Sequence, residues 1–281
     1  MLYQAELYPE FRLDPLPERA QKGNMVDLSR RWPLGLGEKR WWLAPVAMLA
    51  GLAAVVAFDR PLSLWAHGWP EGVRSVLEQF TRYGESDWIL IPAAILFVLT
   101  AVVAFFVRWP LMRTLLWQFT TIYGFIFAGV GLPSLVATLA KRAIGRGRPM
   151  HFDQHGTLSF SPNWLDWTFQ SFPSGHATTA FALAAVIGFI SPRWFYPGLV
   201  FAVAIGVSRV ALGVHYPSDV VGGAILGVLG AYLVRLLFAA RRWGFESTPT
   251  GAIQGRAFSS LRRYLVLKRR DIAPAPQPGR P

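Results

Sequence analysis

The residues best suited to chemistry lie in three short groups, each at the end of an apolar segment. The first group holds Lys141 and Arg148, seven positions apart, with Gly145 and Gly147 between them. Taken singly, each cation is explained by ordinary snorkelling at a membrane surface. The glycines interrupt the helix end, however, and let several cations converge. Convergent lysine and arginine side chains bind the oxygens of a phosphate group.

The second group is the run Phe172-Pro173-Ser174-Gly175-His176, where a polar loop meets an apolar helix. Ser174 stands at the N-cap position. The free N–H groups of the first turn and the helix dipole therefore predict an anion site around Gly175. His176 would lie beside that anion and could donate a proton to it. The alternative is a capping serine followed by an incidental histidine.

Arg209, His215 and Asp219 form the third group. Asp219 opens an apolar segment, where an acidic side chain also favours the helix dipole, so N-terminal capping is its alternative role. An aspartate four residues after His215 can accept the Nδ1 proton of the imidazole and leave Nε2 free as a nucleophile. Arg209 adds a further cation beside this pair.

Six apolar segments of near-spanning length position the three groups, and they cover residues 41–58, 88–107, 115–140, 176–190, 195–212 and 220–238. A hydrocarbon core of about 30 Å takes about 20 helical residues. Only 16% of the residues are charged, against about 25% in soluble domains. The sequence therefore predicts an all-α, polytopic membrane bundle of six transmembrane helices. Buried helices of a soluble bundle are the disfavoured alternative, because the runs are nearly free of charge.

Apolar residues at positions 73, 76, 77 and 80 repeat with helical spacing and predict a short interfacial helix outside the spans. Residues 41–240 form the predicted transmembrane domain. Residues 1–40 are predicted to be an N-terminal tail, and residues 241–281 a basic, Pro-rich C-terminal tail.

Loop charges predict the orientation in the membrane. Basic residues flank the spans on one side, and they include Arg30, Arg31, Lys39, Arg40, Arg108, Arg113, Arg193, Arg241 and Arg242. The positive-inside rule makes that side cytoplasmic and places both termini there. We therefore expect a multi-pass protein of the plasma (inner) membrane whose three reactive groups face the extracytoplasmic side. The loop that carries Lys141 to Arg148 breaks the rule locally, and such a breach needs a functional reason.

Composition also bears on partners and cofactors. The formal net charge is +12, but the cations lie beside apolar spans, so an anionic membrane explains them better than nucleic acid does. The chain has no cysteine, which excludes thiolate metal sites. The histidines are not spaced as ligands and no carboxylate cluster accompanies them. We expect no metal and no cofactor.

The motifs Lys141-x6-Arg148-Pro149, Pro173-Ser174-Gly175-His176 and Ser208-Arg209-x5-His215-x3-Asp219 resemble the three signature motifs of the type 2 phosphatidic acid phosphatase superfamily. The resemblance implies a lipid phosphatase in which His215 attacks phosphorus, Asp219 orients His215, and His176 protonates the leaving oxygen and later activates water. It implies further that the phosphate oxygens are held by Lys141, Arg148, Arg209, Ser174 and the Gly175 N–H. The implied substrate is a phospholipid or isoprenoid-lipid phosphate.

The resemblance leaves other functions open. The superfamily includes vanadate-dependent haloperoxidases, although the known ones are soluble and six spans disfavour that function. A lipid phosphotransferase would use the same residues with a lipid acceptor in place of water. A non-catalytic binder or transporter could use the cations alone, but it would not need the nucleophile, acid and orienting aspartate. The lipid, the choice between monophosphate and diphosphate, and the oligomeric state stay undetermined.

Overall fold

The structure is a computed structural model that describes residues 26–33, 42–162 and 164–255. The described parts contain nine α-helices: α1 Leu43–Val56, α2 Asp59–His67, α3 Glu71–Thr81, α4 Asp87–Phe106, α5 Pro110–Ile144, α6 Phe152–His155, α7 Gly175–Ile190, α8 Phe195–Ala211 and α9 Pro217–Ala240. Short 3-10 turns lie at Arg82–Gly84, Pro149–His151, Trp167–Phe169 and Pro192–Trp194. The predicted all-α class is confirmed.

Each of the six predicted apolar segments is a helix, and these are α1, α4, α5, α7, α8 and α9. Four helical stretches in the described chain are long and apolar enough to cross a membrane: Glu71–Phe106, Pro110–Ile144, Pro192–Ala211 and Pro217–Ala240. A fifth results if Leu43–Val56 and Asp59–Ala66, bent by 55°, are counted as one span. The protein is therefore a multi-pass membrane protein. The count of six is not confirmed, because α7 has only 16 residues.

The short amphipathic helix predicted around position 77 is present as α3. Its residue Phe80 contacts Phe201 of α8 edge to face, with ring centroids 6.0 Å apart. Part of its apolar face therefore lies on the bundle, whereas Val76 is 65% exposed. Its location in the headgroup plane stays a prediction.

Helix α7 lies at the centre of the bundle, where it packs against α5, α8 and α9. Most of its residues are buried, and most of the buried ones are alanine, threonine or glycine. Glycines on α9 allow the two backbones to approach closely. A Cβ atom on Gly227 would lie 2.4 Å from the carbonyl oxygen of Thr178, well inside van der Waals contact. Small residues at helix crossings are typical of membrane bundles, where packing drives association.

The C-terminal ends of α7 and α9 are covered by two segments from the predicted tails. Strands β1 Phe245–Ser247 and β2 Ile253–Gly255 form an antiparallel hairpin. The Ile253 N–H donates to the Ser29 carbonyl at 2.7 Å. The buried Arg235 of α9 donates to the carbonyls of Leu28 and Arg30. Residues 26–33 and 245–255 are thus part of the packed structure, whereas residues 1–25, 34–40 and 256–281 of the predicted tails lie outside the described residues.

The close crossing of α7 and α9 predicts that Gly227→Ala is destabilising. Overpacking of this kind lowers the free energy of unfolding by about 1–3 kcal/mol. Gly51→Ala is the matched control, since a Cβ there meets nothing within 4 Å, and alanine is favoured over glycine inside a helix by about 0.5–1 kcal/mol. The midpoints of thermal unfolding in detergent should therefore fall for Gly227→Ala and stay level or rise for Gly51→Ala. Equal midpoints for the two variants would contradict the crossing.

Candidate active site

The fold brings all three reactive groups to one end of the bundle. Lys141 lies in the last turn of α5, and Arg209 in the last turn of α8. The N-terminus of α7 contributes Ser174, Gly175 and His176. The N-terminus of α9 contributes Asp219, while His215 lies in the loop between α8 and α9 and Arg148 in the loop after α5.

Glycine makes the sharp exit from α5 possible. Gly145 has φ 65°, in the left-handed region, and a Cβ there would lie 2.2 Å from the Ser161 carbonyl oxygen. The Ser161 N–H donates to the Gly145 carbonyl at 2.7 Å. A residue with a side chain would be strained by that conformation and would also block this contact. The loop after α5 can therefore fold back over the helix ends and present Arg146 and Arg148 to the site.

His215 and Asp219 form a buried pair. The imidazole Nδ1 lies 3.6 Å from Asp219 Oδ2, and His215 is 2% exposed. This separation is longer than a hydrogen bond, although catalytic contacts are often long without substrate. The Ser171 hydroxyl donates to the same carboxylate oxygen and lies 3.5 Å from Nδ1. Nδ1 therefore faces acceptors, which leaves Nε2 as the nitrogen available for reaction.

Asp219 is fully buried, and several donors hold its carboxylate. The Tyr216 N–H donates to Oδ2 at 2.8 Å. Arg146 Nη1 donates to Oδ1 at 2.7 Å. Together with Ser171, these contacts fix the carboxylate at the first turn of α9, where the helix dipole also favours a negative charge.

The protonation state of His215 follows from its surroundings. Burial, together with the charges of Arg148 and Arg209, lowers the pKa of His215 to about 4, although Asp219 opposes the shift. An unperturbed histidine has a pKa near 6.5. His215 is therefore neutral at pH 7, the form in which an imidazole can act as a nucleophile.

Three cations converge beside this pair. A Cβ on Gly175 would lie 3.2 Å from Lys141 Nζ, which places the ammonium at the start of α7. Arg148 stacks over the Trp167 ring at 4.7 Å, and Arg209 Nη1 donates to Thr81 Oγ1 at 3.3 Å. The charges of Arg148 and Arg209 act on Lys141 as well as on His176 and His215.

These cations lack counter-ions of their own. Within residues 26–33, 42–162 and 164–255, the salt bridges involve other arginines or His215, and none includes Lys141, Arg148 or Arg209. The Nε atoms of Arg148 and Arg209 are buried without a hydrogen-bond partner. Buried donors are nearly always satisfied in proteins, and these two atoms are free to donate to the oxygens of an anion.

Ser174 occupies the N-cap position of α7, but its side chain makes no capping hydrogen bond. Its Oγ is buried without a partner, while its N–H donates to the Asp219 carbonyl at 2.9 Å. A capping serine was the alternative to an anion donor, and the structure does not show that cap. His176 lies close to Gly84, where a Cβ would be 3.0 Å from its Cδ2 atom.

The sequence interpretation missed several residues of the site. The motifs in the sequence do not single out Arg146, Asp59, Ser171 or Ser218. Arg146 and Asp59 form a buried salt bridge of 2.8 Å next to Asp219. The sequence offers one signal for these residues, because Arg146 lies between two glycines in a run of cations. Asp59 lies 87 residues away from Arg146 in the chain, so no local pattern connects the two. The part of the chain that the structure describes contains no group of three or more His, Cys, Asp or Glu residues that could hold a metal ion.

Comparison with known proteins identifies the family. The family model described as the PAP2 superfamily matches residues 119–243. The lipid A 1-phosphatase of Rhizobium johnstonii is 32% identical over 230 residues, which cover 80% of this chain and 93% of the relative. The chain belongs to the PAP2 superfamily. The suspected resemblance to type 2 phosphatidic acid phosphatases is therefore confirmed.

Other PAP2 relatives match shorter stretches. The lipid A 1-phosphatase of Rhizobium etli is 39% identical over 130 residues, covering 46% of this chain and 56% of the relative. The undecaprenyl-diphosphatase of Sulfolobus acidocaldarius is 33% identical over 116 residues, covering 41% of this chain and 52% of the relative. The chain thus spans about half the length of these two relatives.

One solved PAP2 structure is similar to this chain. It is a transmembrane PAP2 type phosphatidylglycerolphosphate phosphatase from Bacillus subtilis, with 27% sequence identity and a TM-score of 0.45, covering 69% of this chain and 94% of that one. The PAP2 relatives are named as lipid phosphatases and diphosphatases. The predicted enzyme class, a hydrolase of lipid phosphate or diphosphate groups, is confirmed.

The lowered pKa of His215 can be measured directly. We expect its imidazole to stay neutral from pH 7 down to about pH 5 and to take up a proton near pH 4, because burial disfavours the charged form. The measurement is a pH titration of 15N-histidine-labelled protein in detergent micelles, with the His215→Asn spectrum to assign the resonance. Titration at pH 6.5 or above would show that the site does not hold His215 neutral.

Proposed function

We propose that this PAP2 protein hydrolyses the phosphate or diphosphate headgroup of a lipid at the extracytoplasmic face of the membrane, through a phosphohistidine intermediate and without a metal ion. The observation that carries the proposal is the convergence of three cations, none of them salt-bridged within the described residues, on a buried, neutral His215. Phosphoryl transfer depends mainly on positioning and charge stabilisation. Fixed cations can supply both in place of a metal.

The first step forms the phosphoenzyme. His215 Nε2 attacks phosphorus while the bond from phosphorus to the lipid oxygen breaks, and protonated His176 gives its proton to that oxygen. The Nδ1 proton of His215 stays directed at Asp219, whose negative charge stabilises the positive imidazole ring of the intermediate. Lys141, Arg148, Arg209 and the unpaired Ser174 hydroxyl bind the non-bridging oxygens.

The second step releases the phosphate. His176, now neutral, removes a proton from a water molecule as its oxygen attacks phosphorus, and the nitrogen–phosphorus bond breaks. Inorganic phosphate leaves, and both histidines return to their starting states.

We propose lipid A carrying a 1-phosphate as the substrate, because the relative that the chain covers to 93% is named a lipid A 1-phosphatase. Undecaprenyl diphosphate and phosphatidylglycerophosphate are the alternatives, since other PAP2 relatives carry those names. A panel of the three lipids, with phosphatidate added, ranks them by phosphate release under identical detergent conditions.

Simple assays distinguish the remaining candidate functions from lipid phosphate hydrolysis. Vanadate should inhibit a phosphatase, whereas it would activate a haloperoxidase. A lipid phosphotransferase would move labelled phosphate to a second lipid, whereas hydrolysis in 18O water places the label in inorganic phosphate. A non-catalytic binder would retain the lipid phosphate intact over hours.

Variants of the two histidines test the mechanism. His215→Asn should abolish phosphate release with EDTA present and should form no acid-labile phosphoenzyme, because the nucleophile is gone. His176→Asn should lower kcat by about 10²–10⁴-fold, the range of general acid–base catalysis. His155→Asn is the matched control, since this histidine is exposed on α6 outside the site. Activity of His215→Asn within 10-fold of the parent would reject the covalent mechanism.

The proposed orientation is tested with single cysteines, which the natural sequence lacks. Leu165, 95% exposed in the loop before α7, and Thr250, in the turn of the β1–β2 hairpin, lie on opposite sides if the orientation is right. A membrane-impermeant maleimide should label Leu165→Cys in intact spheroplasts, but Thr250→Cys only after permeabilisation. The reverse pattern would place the site in the cytoplasm.

A further inference from the structure

Asp59 is a fully buried carboxylate that the phosphatase mechanism does not use. It is the first residue of α2, at the bend of 55° between α1 and α2. Its carboxylate does not serve the start of its own helix and instead reaches the start of α9. The Ser218 N–H donates to Oδ1 at 2.9 Å, and the Ser218 hydroxyl donates to Oδ2 at 2.6 Å. Asp59 therefore satisfies an N–H group in the first turn of the helix that carries Asp219.

Arg146 connects Asp59 to Asp219. One guanidinium nitrogen, Nη2, donates to Asp59 Oδ2 at 2.8 Å, and the other, Nη1, donates to Asp219 Oδ1 at 2.7 Å. Further bonds run from Nη1 to the Ser218 hydroxyl and from Nε and Nη2 to the Thr157 carbonyl. All five N–H groups of the guanidinium thus have a partner, and its orientation is fixed. Asp219 receives one nitrogen of this guanidinium, because Asp59 holds the other.

The net charge of this cluster favours the positive His215 ring that forms during the proposed reaction. Two carboxylates and one guanidinium leave a single negative charge, next to an imidazole that is neutral before reaction. When Nε2 is bound to phosphorus and Nδ1 keeps its proton, the ring is positive. The cluster and the ring then sum to zero in a place that water does not reach, where an uncompensated charge is costly.

We propose that Asp59 is a positioning residue of the reaction: through Arg146 it keeps Asp219 directed at Nδ1 of His215 and leaves one negative charge to stabilise the phosphohistidine ring. This inference rests on the proposed function, in which His215 is the nucleophile. It adds a part of the site that comes from the first helix pair, outside the residues that the family model matches.

The removal of the Asp59 charge should change the histidine without removing the cations that bind substrate. In Asp59→Asn the guanidinium is freed to place both nitrogens on Asp219, which neutralises that carboxylate and draws it from Nδ1. We expect kcat on the fastest lipid of the panel to fall by about 10–100-fold. A loss of that size is typical when a residue that hydrogen-bonds to a metal ligand and orients it is replaced, and Asp59 has a comparable indirect position. KM should stay within about twofold, because lost transition-state stabilisation lowers kcat.

If Asp59 had a purely structural role, its replacement would not change which ring nitrogen of His215 carries the proton. At pH 7, 15N chemical shifts in detergent micelles should show the Nδ1–H tautomer in the parent protein and a mixture in Asp59→Asn. Asp87→Asn is the matched control, since Asp87 is likewise the first residue of a helix, α4, but is exposed. It should match the parent protein in tautomer, kcat and KM.

A double variant keeps the proposal testable if Asp59→Asn folds poorly because Arg146 is left with too little negative charge. Asp59→Asn with Arg146→Gln removes one charge of each sign and again leaves a single negative charge, on Asp219. We expect its kcat to exceed that of Asp59→Asn alone, whereas loss of two merely structural groups would make it lower. An unchanged tautomer with unchanged kcat in Asp59→Asn, or a double variant worse than the single one, overturns the proposal. If the parent protein releases no phosphate from any lipid of the panel, the proposed function fails, while the tautomer still reports on Asp59.

Discussion

The structure depends on keeping an ionised aspartate at a position that water does not reach. Isolated burial of a carboxylate is prohibitive, so each contact to Asp219 must replace part of its hydration. The replacements come from three residues: Arg146 and Ser171 in the loop between α5 and α7, and Tyr216, whose N–H lies at the start of α9. The loop between α5 and α7 therefore has to fold back onto the helix ends, and it supplies Arg148 as it does so.

A second constraint follows from the first. Because Arg146 is occupied by carboxylates, it cannot bind substrate, and the proposed mechanism assigns that task to the cations that have no carboxylate partner. This division explains why a single short run of cations contains two different roles. Arg146 is 3% exposed and fully paired, whereas Arg148, two residues later, stacks on Trp167 with its Nε unpaired. In the proposed mechanism, a phosphate that enters would find donors whose orientation is already fixed, so little reorganisation would be needed at the moment of reaction.

Much of this arrangement could be predicted from the sequence. The six apolar segments are helices, and the residues of the three motifs lie at one end of the bundle, because a helix end is visible as a change from apolar to polar residues. What the sequence did not reveal is which distant residues pair. Asp59 reads as the polar end of the first apolar segment, and nothing nearby points to Arg146 or Ser218. Contacts between residues that are 87 and 159 positions apart in the chain depend on how the helices pack, and no local sequence pattern indicates that packing. The bend after α1 and the β1–β2 hairpin were missed for the same reason.

The segment held by Arg235 has a consequence for biogenesis. The carbonyls of residues 28–30 accept hydrogen bonds from Arg235 in α9 and from Ile253 in the hairpin, both of which are synthesised after helices α1 to α8. Insertion of the helices into the bilayer can proceed one after another as the ribosome delivers them. The hydrogen bonds to residues 28–30, in contrast, cannot form until α9 and the hairpin have emerged, so the closure of this end of the protein is a late, post-insertion event.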